Sequence, residues 1–176
     1  MTRASLRGWI GVGLLFAGLW SAPVTAGRIT NEPTGFNGYL WGASSTDYPS
    51  LVRVTDPAVA DPVPDVGVYE KPGETLIVNG ATLTRIHYRF YKGKLGGIGL
   101  RYEGREYRDK LMQWIEQEYG KLPPVERKQK QIEWHGENVV ITLGYDVLTS
   151  RGHLWFTYLA LTPFQNTSGV GGTATY

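Results

Sequence analysis

The sequence predicts an α+β fold: an antiparallel sheet of about six strands with one main amphipathic helix packed on one face. Two patterns carry that expectation. Apolar residues alternate with polar ones at period two from Val66 on towards Phe90, and further strand-length segments rich in apolar residues lie between Gln131 and Leu161. A single stretch, Glu106 to Tyr119, repeats its apolar residues at helical spacing instead. The chain has 176 residues and no cysteine, so its core must hold without disulfides.

The first 26 residues predict a secretory signal. Arg3 and Arg7 precede an apolar, glycine-containing run from Trp9 to Trp20, and Val24-Thr25-Ala26 ends the segment in small-x-small form. The run is about a dozen residues, shorter than the roughly 20 that span a bilayer. Cleavage before Gly27 would deliver the domain to the periplasm or the outside of the cell. Without cysteine there is no lipid attachment of the bacterial lipoprotein kind. The chain holds 18 Lys and Arg against 16 Asp and Glu. Both arginines of the signal leave with it, so the mature balance is 16 against 16. A nucleic-acid surface keeps a basic excess, and none is expected here.

Within the mature chain, residues 27–35 read as an unstructured lead-in, 36–163 as the single domain and 164–176 as a flexible Gly/Thr-rich tail. A strand is expected from Phe36 to Trp41. Ser44 to Asp47 offer helix N-caps, and Pro49 limits any helix to about Tyr48–Val52. Thr55 to Gly67 carries Asp56-Pro57, Asp61-Pro62 and Pro64-Asp65 and reads as a loop. Strands follow at Val66–Glu70, Glu74–Val78 and Ala81–Phe90, with Asn79-Gly80 as a hairpin turn. Ile86, Tyr88 and Phe90 share one face; Arg85, His87 and Arg89 share the other.

Leu95 to Glu103 returns with Ile98, Leu100 and Tyr102 apolar. For these to join the face of Ile86 and Tyr88, paired residue numbers must sum to an even value. A three-residue loop, Tyr91-Lys92-Gly93, satisfies this. It sets Phe90 against Lys94, Ile86 against Ile98, Thr84 against Leu100, His87 against Gly97 and Arg85 against Gly99. On the helix, Tyr107, Leu111, Trp114, Ile115 and Tyr119 form one stripe, which should lie on that apolar face. Gly120 and Pro123-Pro124 end the helix. A charged connector, Val125 to Gln131, leads to a hairpin of Gln131–His135 and Asn138–Tyr145. A turn at Gly136-Glu137 would pair Trp134 with Val139 and Ile132 with Ile141. Gly152–Leu161, apolar on both faces, is expected at the centre of the sheet.

Three strings, Gly35-Phe-Asn-Gly-Tyr-Leu-Trp-Gly-Ala-Ser44, Phe90-Tyr-Lys-Gly-Lys-Leu95 and Tyr119-Gly-Lys-Leu-Pro-Pro124, resemble a family of small exported bacterial proteins of unknown function. The resemblance spans Gly35 to Pro163. It implies a bacterial envelope setting and an α+β fold, and it supplies no functional residues. Pro49 departs from the longer helix expected after the Trp-Gly motif.

No catalytic or cofactor motif emerges. The glycines Gly93, Gly96, Gly97 and Gly99 lie in a strand, without the Lys-Ser/Thr and helix that a phosphate loop needs. His87, His135 and His153 lack zinc-protease spacing, although Glu133 and His135 share a strand face. Asp56, Asp61 and Asp65 do not fit a calcium loop. Ser150 near His153 lacks a placed acid. Trp155 with Leu159 offers a possible partner surface. The remaining candidate is the face bearing Arg85, His87, Arg89 and Arg101. Arginine suits carboxylate and phosphate, so two readings stand for this face: an ordinary solvated strand whose charges keep the domain soluble, or a site for an anionic ligand, such as a peptide terminus or a glycan acid, with no cofactor or metal. The expected function is a non-enzymatic domain that binds a ligand or a protein partner. The alternative is a hydrolase acting on cell-wall or extracellular substrate.

Overall fold

A computed structural model describes residues 27–56, 59, 61 and 63–161. The predicted signal, residues 162–176 with the predicted tail, and Pro57 and Pro62 of the loop lie outside the described residues. The chain forms β1 (Gly27–Arg28), β2 (Gly35–Phe36), β3 (Tyr39–Leu40), β4 (Val52–Arg53), β5 (Val66–Glu70), β6 (Ile77–Val78), β7 (Ala81–Thr82), β8 (Arg85–Tyr91) and β9 (Lys94–Glu103). The helix α1 (Arg105–Glu118) follows, then β10 (Gln131–His135), β11 (Val139–Asp146) and β12 (Arg151–Tyr158).

The fold is α+β, but its sheet exceeds the six strands expected. Eight strands run in the order β1-β10-β11-β12-β9-β8-β5-β4. All neighbours are antiparallel except β1, which lies parallel to β10. The pairs β2–β3 and β6–β7 form separate ribbons. As expected from its two apolar faces, β12 sits inside the sheet, between β11 and β9. No helix among the described residues is long and apolar enough to cross a membrane.

The inner face is a register of large apolar residues. Tyr88, Ile98, Phe156, Ile141 and Trp134 are consecutive Cα partners across β8, β9, β12, β11 and β10, and the row ends at Gly27 of β1. Ile86, Leu100, Leu154, Leu143 and Ile132 form the next row. The predicted helical stripe packs on this face. Leu111 and Ile115 are fully buried, and the Trp114 and Tyr119 rings stand 6.1 and 6.0 Å from that of Phe156. Phe36, Tyr39 and Leu51 belong to the same core.

Several elements differ from expectation, each for a local reason. The expected strand over 36–41 is a hairpin, because Asn37 and Gly38 both take positive φ and turn the chain between β2 and β3. The expected helix over 48–52 is a 3-10 turn over Ser45–Asp47, closed by a capping box between Ser44 and Asp47. The expected strand over 74–78 is ordered as strand only at β6, and the one over 81–90 divides into β7 and β8. Asn79-Gly80 does turn β6 into β7, both at positive φ. The expected lead-in is no loose segment. Gly27–Arg28 pairs with Trp134–His135, and the Glu32 carboxylate accepts the amides of Asn138 and Val139 at 2.6 Å each.

The β8–β9 register is offset by two residues from the expected one. Lys92-Gly93 is a two-residue turn with positive φ at both positions, which sets Tyr91 against Lys94 and Phe90 against Leu95. That pairing has odd parity and would bury the wrong face. A bulge at Gly96 inserts one residue, so that Arg89 meets Gly97, His87 meets Gly99, Ile86 meets Leu100 and Arg85 meets Arg101. The shared apolar face is therefore as expected, while the individual partners are shifted on both faces: Ile86 meets Leu100 rather than Ile98, and His87 meets Gly99 rather than Gly97. The β10–β11 hairpin shows the same offset, Trp134 pairing with Ile141 rather than Val139.

Candidate functional site

The outer face of the sheet, opposite α1, collects the polar side chains. Strand pairing arranges them in three rows. Arg85, Arg101, His153, Gly144 and Gln131 make the first; His87, Gly99, Trp155, Thr142 and Glu133 the second; Arg89, Gly97, Thr157, Val140 and His135 the third. All four predicted ligand residues, Arg85, His87, Arg89 and Arg101, thus lie together on β8 and β9.

Their environments differ sharply. Arg85 is exposed and sits 3.4 Å from the Glu70 carboxylate on β5. His87 is buried, at 8% exposure, with its Nε2 2.9 Å from the same carboxylate. Burial pushes the His87 imidazole below its ordinary pKa, and Glu70 opposes that shift. Arg89 is nearly enclosed and ion-paired with Asp61, which the proline-bearing loop brings onto this face. Asp61 therefore serves as the partner of a buried arginine, beyond its expected part in starting a turn.

Between Arg89 and Arg101 lies Trp155. The two guanidinium carbons stand 5.1 and 5.2 Å from the indole centroid, within cation–π range. The ring occupies the volume above Gly99, where a Cβ would approach its Cη2 to 2.5 Å. His153 lies over Gly144 in the same way, with Nε2 2.5 Å from the position of a Cβ. Burial and then the Arg101 charge hold His153 down to a pKa of about 4, so it is neutral at physiological pH. Of the expected apolar pair on the last strand, Trp155 is partly buried in this arrangement and Leu159 lies beyond the end of β12.

The space above Gly97 and Gly99 on this face is filled by side chains. Arg89 carbons lie 3.8 Å from a Cβ at Gly97, and Trp155 covers Gly99. Arg85 stays exposed, with Arg101 and His153 half-buried beside it in the row along the edge of the indole. Sequence reasoning missed His153, Trp155 and Asp61 as members of this face. Alternation on β12 places His153 and Trp155 on one side, but only the β9–β12 pairing brings that side to the arginines.

The other candidates remain apart. Glu133 and His135 bond each other at 2.9 Å, and no group of three His, Asp or Glu suited to a metal occurs among the described residues. Ser150 takes a left-handed conformation at the β11–β12 corner, and its carbonyl accepts the Gly104 amide; no hydrogen bond joins its hydroxyl to His153. An open depression of about 480 Å³, bordered by Arg28, Thr30, Glu32, His135 and Glu137, lies at the β1 edge, away from the arginines. Comparison with protein-family models, with curated proteins and with solved structures finds no match for this chain.

Proposed function

We propose that the protein is an exported, non-enzymatic envelope domain that binds an anionic group, a carboxylate or a phosphate, on the outer face of its sheet. The observation that carries this reading is the register of Arg85 directly opposite Arg101, with His153 next in the row. Arg85 is steadied by Glu70 and Arg101 lies over Trp155, so two guanidinium groups and His153 share one row of the outer face, where a carboxylate or phosphate oxygen would meet several donors at once. Trp155 supplies a rigid edge beside the row, and the Asp61 and Glu70 contacts hold the flanking side chains in place. The charge order and small-residue ending of residues 1–26 support export.

The test is a titration of the chain beginning at Gly27 with citrate and, separately, inorganic phosphate, followed by backbone amide shifts. Saturable shifts confined to 85–89, 99–101 and 153–155 are expected, weakened at least tenfold in Arg85→Ala/Arg101→Ala. Equal binding by parent and variant, or shifts elsewhere only, would refute the proposal.

A further inference from the structure

We infer that the β11–β12 hairpin tip is a docking element for an anionic phospholipid surface, inserting Val147 and Leu148 while the adjoining basic segment meets the headgroups. Hairpin tips are ordinarily polar. Here Leu148 is 96% exposed and Val147 71%, side by side at the turn. The turn is locked in this presentation. The Asp146 carboxylate accepts the Leu148 amide at 2.8 Å, Ser150 takes positive φ, and the Ser150 carbonyl receives the Gly104 amide at 2.9 Å. The two aliphatic side chains are thus held outward by the backbone.

Charge complementarity identifies the occupant. The Tyr145 amide bonds the Lys130 carbonyl at 3.1 Å, which seats residues 127–130, Arg-Lys-Gln-Lys, beside the base of the hairpin. Arg108 fixes that segment from α1 by donating to the carbonyls of Arg127 and Gln129. Arg127, Lys128 and Lys130 are exposed, and Lys128 and Lys130 form no ion pair among the described residues. The one acid of the tip, Asp146, is engaged by its own turn and lies near Lys130. On the other side Arg151 is offset by Glu103, so the positive charge beside the tip is concentrated on the 127–130 segment. A protruding aliphatic pair flanked on one side by Lys128 and Lys130, with Arg127 beside them paired to Glu116, matches an acyl–headgroup boundary bearing negative charge, where aliphatic burial and lysine attraction act together. This surface is distinct from the arginine row and stands or falls without it.

The test is co-sedimentation of the chain beginning at Gly27, which contains every element described above, with vesicles of equal phosphatidylglycerol and phosphatidylcholine, against pure phosphatidylcholine. Partitioning at least tenfold stronger to the anionic vesicles is expected. Val147→Ser/Leu148→Ser and Lys128→Gln/Lys130→Gln should each lower it by tenfold or more, with melting midpoints unchanged because all four side chains are exposed. Absence of parent binding, equal binding to both vesicle types, or a tip variant that binds as the parent does would overturn the inference.

Discussion

The indole of Trp155 lies over Gly99 on the neighbouring strand, and neither position tolerates the other's absence of fit. A Cβ at residue 99 would stand 2.5 Å from Cη2 and 2.7 Å from Cε3, well inside contact distance. Gly99→Ala should therefore tilt the ring away from Arg89 and Arg101 and destabilise the domain by about 1–3 kcal/mol. A fall in melting midpoint together with a changed tryptophan emission spectrum is expected. An unaltered midpoint would mean that the ring does not rest there.

Asp61 and Arg89 form a second test of the same face. Both side chains are largely enclosed, at 5% and 12% exposure. Removing one partner leaves a charge desolvated, so Asp61→Ala should cost about 3–5 kcal/mol. Asp61→Ala/Arg89→Met should recover much of that loss, since the uncompensated charge is gone. Chemical denaturation of the three proteins measures the difference; equal stability of the single and double variants would argue against a buried pair.

Acid should weaken the fold through its histidines. His153 titrates at about 4 in the fold against 6.5 when unperturbed, because of burial and the nearby Arg101. Its contribution is therefore complete above about pH 6.5, declines as pH falls through that value, and levels off below about 4, with a size no greater than about 3 kcal/mol. Burial lowers His87 in the same sense. His153→Gln should flatten the profile between those limits. In the parent, an anion bound beside Arg101 should raise the His153 pKa, so the affinity for sulfate, which keeps its full charge through this range, should increase on acidification.

How far the sequence could be read depends on whether the information was local. The faces of Ile86, Tyr88 and Phe90 and of Arg85, His87 and Arg89 follow from alternation alone, and the α1 stripe follows from its spacing. The parity of the β8–β9 register was also legible, because only even sums bury the right side. Its exact value was not, since a two-residue turn plus a bulge at Gly96 gives the same parity as a three-residue loop. Asn37-Gly38 carries the same turn signal as Asn79-Gly80, but lies among aromatic residues that imitate one continuous strand. Of the candidate site, the residues of β8 and β9 were visible. Asp61, His153 and Trp155 join them only through contacts spanning 28 or more positions along the chain or through the β9–β12 pairing.

Glu126 offers a test of the connector between α1 and β10. It is buried at 4% exposure, and its Oε1 has no hydrogen-bond partner among the described residues. An unsatisfied buried oxygen costs about 1–3 kcal/mol. Glu126→Met, similar in length and apolar, should therefore raise the unfolding free energy by about 1 kcal/mol. A loss of stability would show that the carboxylate makes a contact of value.

The pairing of Gly27–Arg28 with Trp134–His135 ties the start of the described chain to β10. The first strand has no neighbour to receive it until residue 135 has been made, and Glu32 must wait for Asn138 and Val139. The amino-terminal edge thus pairs with residues more than a hundred positions further along, so a chain cut short before Trp134 would leave that edge and the Glu32 carboxylate without these partners.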